Sequence, residues 1–478
     1  MGGSRRSPPA DPGPADPGPA GSGSAGRLRS AVAATLAAAL PGGGTAAVAL
    51  SGGRDSIALL DAAVASAQGA RVRVVAIHVD HGLSANAGRW SAFCADTCAA
   101  LGVELAIRRV QVARRPRASL EALARDARHA ALGDAARECA ASAVLLAHHA
   151  DDQAETLLLQ LLRGGGPRGL AAMPAAQAVD GILWLRPFLG LPRADIDACV
   201  TELGLAFVED ESNAQPAHRR NALRLRVVPA LREIAPGYPL TLVRAAGLQA
   251  DAALLADDLA RIDAQGAREG PGLDRAALAA LPAPRARNLL RWFLRSRGLP
   301  APSAARLAEM LRQFRAADAS PTLCIAHAGS EVSLHRGRVI VHDPPPPPYA
   351  RDWTGEPAIV LPHGRLLFTP EAGAGIAEHH LGGAPTSICS GRPGERLQLP
   401  GRRLRRAVAD LLREAGVPHW EREALPRVYC GPQLAAVATL GVDAAFAAAA
   451  GESGLAPDWQ PAARGTASGS RRSGVDVL

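Results

Sequence analysis

Short apolar runs alternate with helical stretches over the first half of the chain, from about Leu28 to Leu231. Four β-rich runs predict strands, and helical patterns lie between and after them: Thr45–Leu50, Val72–Asp80, Val103–Val110 and Ala143–Ala147. Strands and helices in strict alternation form right-handed βαβ units. The pattern therefore predicts an α/β fold with a parallel, doubly wound sheet that helices cover on both faces.

The pattern changes beyond about residue 240. The strand signal disappears between 240 and 335, and the segments Ala286–Arg297 and Ser303–Phe314 carry apolar residues at helical spacing. We expect a mostly helical second domain here. Five prolines at Pro344–Pro348 cannot join a helix or a central strand, so they indicate a linker or an edge. A small α+β domain is predicted after them.

The two ends of the chain have a different composition, rich in Gly, Ser, Ala and either Pro or Arg. Such segments bury too little apolar surface to offset the entropy of the chain. The predicted division is a disordered leader over 1–26, a nucleotide-binding domain over 27–232, a helical domain over 233–343, a Pro-rich linker over 344–354, a C-terminal domain over 355–450 and a flexible tail over 451–478.

Charge and cysteine usage narrow the class of protein. The 478 residues carry a formal net charge of +8, and all 53 basic residues are arginine. This charge favours a polyanionic partner such as nucleic acid, although a general basic bias of the source would also produce it. Seven cysteines without a CxxC pair suit reduced thiols. With no apolar signal core and no bilayer-length apolar run, we expect a cytoplasmic protein.

The first candidate site is the segment Ser51–Ser56, which lies between the apolar run Ala46–Leu50 and the helical run Ile57–Ala65. Its glycines allow a sharp turn close to an anion, and N–H groups at a helix start favour phosphate. Asp55 would repel phosphate unless it binds Mg²⁺ or a donor group of a substrate. A serine and glycine turn with a capping aspartate is the purely structural alternative.

A second polar cluster, from His148 to Thr156, follows another predicted strand. In a helix that starts near residue 151, Asp152 and Glu155 share a face, and their carboxylates could hold Mg²⁺ against phosphates. Two other interpretations compete: His148 and Asp152 as ligands of a transition metal, or an aspartate that only caps the helix. Parallel strands bring their carboxyl ends to one crevice, so we expect this cluster beside the first, together with Asp80.

These motifs resemble those of known enzymes. Ser51–Ser56 resembles the SGGxDS loop of the PP-loop ATP pyrophosphatases, and it is not a P-loop because GxxxxGK[ST] is absent. Within that superfamily, several further segments resemble tRNA(Ile)-lysidine synthetases: Ser119–His129, His148–Gly164, Glu209–Asn213, Arg220–Arg224, Gly391–Arg396 and Val417–Arg422. The resemblance covers about residues 28–450.

The chain departs from that family at three places. Arg54 occupies a loop position that is more often apolar, and His129 replaces a tyrosine. Lysines that are common in the family's C-terminal segment are replaced here by four arginines: Arg402, Arg403, Arg405 and Arg406. We expect these arginines on one helix face, which either contacts tRNA phosphate or faces solvent.

The resemblance implies an ATP-dependent ligase with Mg²⁺. The wobble cytidine of a CAU-anticodon tRNA(Ile) is adenylated, and free lysine then displaces AMP to form lysidine. The implied catalytic residues are Asp55, Asp152 and Glu155, with Mg²⁺ on Asp55 and Asp152. The implied ATP loop is Ser51, Gly52, Gly53, Arg54, Asp55 and Ser56. Implied contacts to substrate or tRNA, besides the four C-terminal arginines, are Arg125, Arg128, His148, Asn213, Arg220 and Asn221.

Other functions stay open at this point. A PP-loop tRNA thiolase would need activated sulfur and usually cysteine pairs, and a glutamine-dependent amidotransferase would need a further domain. A tRNA-binding protein with a degenerate nucleotide fold would need neither. The sequence leaves the oligomeric state open, a homodimer included.

Overall fold

The computed structural model describes residues 23–80, 82, 86–110, 120–209, 219–265, 272–317 and 323–462. These residues divide into two compact units, with the boundary between Leu254 and Leu255. The predicted leader lies outside the described residues up to 22, and so does the predicted tail from 463 onwards.

The first unit is built on a six-stranded sheet in the order β3-β2-β1-β4-β6-β5. Its strands are β1 (Gly44–Ala49), β2 (Val72–Asp80), β3 (Glu104–Arg109), β4 (Ala143–Leu145), β5 (Ala176–Val179) and β6 (Ile182–Leu185). All pairings are parallel except that of β5 with β6. The four predicted strands are present, and the short pair β5 and β6 was not foreseen.

Helices cover both faces of this sheet. They are α1 (Ser24–Ala39), α2 (Arg54–Ala70), α3 (Ala87–Ala100), α4 (Leu120–Glu138), α5 (Ala150–Leu162), α6 (Pro167–Leu170), α7 (Arg193–Leu203), α8 (Arg219–Ala222), a π-helical turn (Leu223–Val227) and α9 (Val228–Ile234). Apolar side chains of α1, α2, α3 and α7 share one core, and those of α4 form a second core on the opposite face. The predicted doubly wound α/β fold is confirmed. Because α1 begins at Ser24, the prediction of a disordered leader over 1–26 is wrong for residues 24–26.

The second unit begins within the long helix α10 (Tyr238–Gln265). Beyond it, three helices pack on an antiparallel sheet of order β7-β10-β9-β8. The elements are β7 (Leu273–Asp274), α11 (Arg275–Ala280), α12 (Ala283–Ser296), α13 (Ala304–Ala316), β8 (Cys324–His327), β9 (Ser330–His335) and β10 (Arg338–His342). The helices were predicted, but the expectation of no strands before 335 was wrong. One face of this sheet is polar, so its strands lack the continuous apolar runs by which the sequence would have indicated them.

The C-terminal region consists of antiparallel strands with three short helices. The elements are β11 (Ala350–Trp353), β12 (Ala358–Leu361), β13 (Gly364–Ala372), β14 (Ile376–Ala377), α14 (Glu378–Gly383), β15 (Thr386–Cys389), β16 (Arg396–Leu397), β17 (Arg406–Ala407), α15 (Val408–Glu414), α16 (His419–Arg422), β18 (Arg427–Cys430), β19 (Gln433–Val437), β20 (Gly441–Val442) and β21 (Ser453–Pro461). The tail predicted from residue 451 is therefore wrong over β21, which pairs with all nine residues of β13. Among the described residues, no helix has the length and apolar character that crossing a bilayer requires.

Candidate functional site

The turn after β1 places a loop of small residues at the start of α2. Gly52 has a φ of +83°, a left-handed conformation that glycine adopts without a steric penalty. Ser56 Oγ donates to the Gly53 carbonyl at 2.8 Å and lies 3.1 Å from Ser51 Oγ, so the two hydroxyls brace the turn. The first N–H groups of α2 have no hydrogen-bond partner within the helix. Such groups at a helix N-terminus favour the binding of phosphate.

The turn after β4 begins the helix α5 with a capping box. The side chain of Asp152 accepts the backbone N–H of His149 through Oδ2 at 3.1 Å. Asp152 thus takes part in capping with one of its oxygens, from the third position of the helix, while His149 is the N-cap residue. The other oxygen, Oδ1, accepts a hydrogen bond of 2.8 Å from Arg220 Nη2.

Glu155 lies one turn further along α5 and is the centre of an ion-pair cluster. Its side chain is 4% exposed. Oε2 accepts from Arg220 Nε at 2.7 Å, and Oε1 accepts from Arg224 Nε at 2.8 Å. Arg224 Nη2 adds a contact of 3.0 Å to Oε2. Both oxygens of Glu155 are therefore occupied by guanidinium groups, which leaves little capacity for a metal or a substrate.

Asp55 and Asp152 face the same crevice with His149 between them. His149 Nε2 is 3.9 Å from Asp55 Oδ2 and 3.3 Å from Asp152 Oδ2. Burial raises the pKa of Asp55, and this outweighs the opposing effect of His149 and Arg193. Burial also disfavours the charged form of Asp152, but its imidazole and arginine neighbours outweigh burial and lower its pKa. Asp55 Oδ1 is buried without a hydrogen-bond partner among the described residues.

These groups line one cavity of about 830 Å³. Such a volume is within the range of sites that enclose a nucleotide-sized ligand. Predicted residues on its wall are Ser51, Gly53, Arg54, Asp55, Ser56, Asp80, Arg128, His148, Asp152, Arg220 and Asn221. Sequence reasoning missed Trp90, Arg193, Phe207 and Val208 on the same wall.

Comparisons with known proteins agree over most of the chain. A PP-loop domain matches residues 29–231, a TilS substrate binding domain matches 273–340, and a TilS substrate C-terminal domain matches 386–459. The chain is 39% identical over 422 residues to the tRNA(Ile)-lysidine synthase of Nitrosomonas europaea, covering 87% of this chain and 91% of the relative. It is 42% identical over 426 residues to that of Chromobacterium violaceum, covering 87% and 95%.

The chain belongs to the tRNA(Ile)-lysidine synthase family. The predicted recognition is confirmed, as is the prediction of a ligase that uses ATP through a PP-loop domain and acts on tRNA.

Arg54, one of the departures from the lysidine synthase pattern, is turned toward the protein. Its Nη1 donates to Asp197 at 2.6 Å, and its guanidinium lies 4.6 Å from the ring centroid of Phe207. Val208 N–H donates to the Gly52 carbonyl at 3.0 Å. The arginine thus ties the segment Phe207–Glu209 to the phosphate loop, a partner that no local pattern could reveal.

The second departure from the family pattern, His129, stacks on Trp184 with ring centroids 4.9 Å apart. Burial and neighbouring arginines lower its pKa to about 4, so it is neutral at neutral pH. Burial also lowers the pKa of His148 to about 3, and the positive charge of Arg125 contributes to this lowering. Burial, with help from Arg220, lowers the pKa of Arg128 on the cavity wall.

The remaining predicted contacts to tRNA are not among the residues that line this cavity. Asn213 lies outside the described residues. The four C-terminal arginines belong to the second unit and lie in and beside the connection of β16 and β17, so the expectation of a helix face was wrong. Arg405 pairs with the buried Asp443, and Arg406 pairs with Glu414. Arg402 and Arg403 are exposed.

Proposed function

We propose that this enzyme joins free L-lysine to C2 of the wobble cytidine in a CAU-anticodon tRNA(Ile), with ATP converted to AMP and pyrophosphate. The observation that supports this most is the meeting of the PP-loop, Asp55 and Asp152 at one cavity. The cytosine O2 attacks the α phosphorus and releases pyrophosphate. The lysine ε-amine then attacks C2, the C2–O bond breaks with AMP as the leaving group, and the amine loses a proton.

The phosphate loop stabilises charge on the departing pyrophosphate. N–H groups at the start of α2 and the arginines of the wall are held in place before ATP arrives, so little reorganisation is needed as the charge develops. Arg220 and Arg224 owe their positions to Glu155. We therefore assign Glu155 a positioning role and reserve direct contact with substrates for Asp55 and Asp152.

The donor set fits Mg²⁺ at Asp55. Its buried Oδ1 has no protein partner within the described residues, and a carboxylate oxygen in that state is a suitable hard ligand. Asp152 fits less well, because Arg220 and the His149 N–H already occupy its oxygens. When bound, Mg²⁺ would neutralise phosphate charge. The group formed by Asp55, His149 and Asp152 can accept the proton that the amine loses.

The thiolase alternative is not favoured. Cys94 and Cys98 are fully buried on α3, and burial raises the pKa of both thiols, which disfavours the reactive thiolate. A hydrolase metal site at His148 and Asp152 is not favoured either, because the described residues bring no three His, Cys, Asp or Glu ligand atoms that include this pair within 4.8 Å of one another.

The test uses the full chain with ATP, radiolabelled lysine and an unmodified CAU-anticodon tRNA(Ile) transcript. We expect label to enter the RNA together with one equivalent of AMP and pyrophosphate. A methionine tRNA transcript with the same anticodon is the matched control and should stay unlabelled. Incorporation of sulfur or of another amine in place of lysine would reject the proposal.

A further inference from the structure

The sheet β7-β10-β9-β8 of the second unit has two chemically different faces. Ile325, Val332, Leu334 and Val339 point into the helical core. Residues 331 and 333 of β9 alternate with these positions and share the opposite face. Cys324 pairs across from Ser333, and His342 pairs across from Glu331. The pairing therefore collects a thiol, a carboxylate and an imidazole on one face from three adjacent strands.

The three ligand atoms are close to one another. The thiol sulfur of Cys324, a carboxylate oxygen of Glu331 and a ring nitrogen of His342 all lie within 4.8 Å of each other. His342 Nδ1 is 3.8 Å from Glu331 Oε2. Ligands at about 2.0 to 2.3 Å from a tetrahedral Zn²⁺ are separated by roughly 3.3 to 3.8 Å. Side-chain movements of about 1 Å would therefore complete the geometry without any change in the strands.

The imidazole of His342 is held before any ion arrives. Its side chain is 1% exposed, and its ring stacks on Trp420 with centroids 3.9 Å apart and an interplanar angle of 6°. Nε2 is 2.8 Å from Ser333 Oγ, and Nδ1 is 2.9 Å from the Asp343 carbonyl. A metal-binding histidine usually has its second ring nitrogen fixed in this way by a neighbouring oxygen. One of the two contacts must be released on binding, and the other then orients the ring.

We propose that Cys324, Glu331 and His342 form a binding site for one borderline-soft divalent cation such as Zn²⁺. Binding exchanges the thiol proton of Cys324, which passes to solvent, for a metal–sulfur bond, with no oxidation or reduction. Cys324 is exposed, so the fourth position is open to water. Thiolate, carboxylate and imidazole together select Zn²⁺ over Mg²⁺. The ion would fasten three strands beside the ring of Trp420.

The test is titration of the metal-free full chain with Co²⁺, read by the sulfur-to-cobalt charge-transfer absorption. We expect one equivalent to produce the band and Zn²⁺ to displace it. Cys324→Ser should remove the band, and the matched control Cys139→Ser, at a half-buried thiol of the first unit, should retain it. Ser333→Ala should weaken Co²⁺ binding by about 10- to 100-fold.

Two outcomes would overturn the proposal. One is the absence of a sulfur-to-cobalt band at one equivalent in the wild-type chain. The other is a band that persists in Cys324→Ser, which would make the binding adventitious. Because Cys324 is exposed on a short strand, its serine variant should fold, and equal thermal unfolding without metal checks this.

Discussion

Replacing Glu155 by glutamine separates a positioning role from a direct chemical one. The substitution keeps the shape of the side chain, removes its charge and turns one acceptor oxygen into a donor. That donor then faces a guanidinium N–H of Arg220 or Arg224, which are also donors. We expect a large loss of stability in the first unit and a loss of activity that follows from misplaced arginines.

The magnitude follows from the burial of the three partners. Breaking a buried ion pair by removing one charge costs about 3 to 5 kcal/mol. Glu155 is 4% exposed, but Arg220 and Arg224 are 22% and 31% exposed, so water partly compensates them. We therefore expect a loss of about 3 kcal/mol in the free energy of unfolding. For a unit of this size, about 2 to 4 °C per kcal/mol gives a fall of roughly 6 to 12 °C in the unfolding temperature.

Calorimetry of the full chain measures this, with the transition of the first unit identified by its upward shift in ATP. Asp134→Asn, which breaks the exposed pair with Arg137 in the same unit, is the control and should cost less than about 1 kcal/mol. The pH profile of kcat should keep its shape in Glu155→Gln. Wild-type stability combined with the loss of one limb of that profile would refute the positioning role and make Glu155 a proton-transfer group.

Asp55→Asn should abolish pyrophosphate release while tRNA affinity, measured by gel shift, stays unchanged. Because burial raises the folded pKa of Asp55 above its usual 3.8, the folded state holds this proton more tightly than the unfolded state. Charged Asp55 therefore lowers stability at neutral pH, and the variant should unfold at a higher temperature there, with the gain shrinking as the pH falls through the folded pKa toward 3.8. Arg54→Ala should raise KM for ATP several-fold with little change in kcat, since the contact with Phe207 is lost; an unchanged KM would contradict this. Replacing Arg402 and Arg403 by alanine should weaken tRNA binding and reduce the salt slope by about one to two, and an unchanged slope would assign both to solvent.

Two of these predictions need controls of their own. Arg54→Lys keeps a cation for Asp197 but loses the planar group over the ring, so an intermediate KM would identify the stacking contact. Arg406→Ala, whose exposed partner is Glu414, tests whether an ion-paired arginine contributes less to the salt slope than Arg402 or Arg403.

The sequence predicted the sheet and the meeting of its loops because both follow from local rules. Period-two and period-3.6 patterns distinguish strands from helices, and parallel strands carry their carboxyl ends to one edge. Asp55 and Asp152 are about one hundred positions apart in the sequence. Each follows one of two neighbouring parallel strands, β1 and β4, so their proximity could be inferred.

Features that depend on distant side chains could not be predicted. Arg220 and Glu155 are 65 positions apart, and the sequence around neither residue indicates the contact between them. From the sequence, Arg54 could contact either phosphate or protein. Its contacts with Asp197 and Phe207 depend on the tertiary fold. The strands of the second unit were missed because they are short and half of their positions belong to a polar face.

The capping box at the start of α5 makes one carboxyl group part of both the scaffold and the proposed reaction site. Asp152 begins a helix with one oxygen and orients an arginine with the other. A substitution of Asp152 is consequently expected to disturb the start of α5 and the position of Arg220 together. A chain without an acid at this position would have to begin α5 differently and would also lose the contact with Arg220.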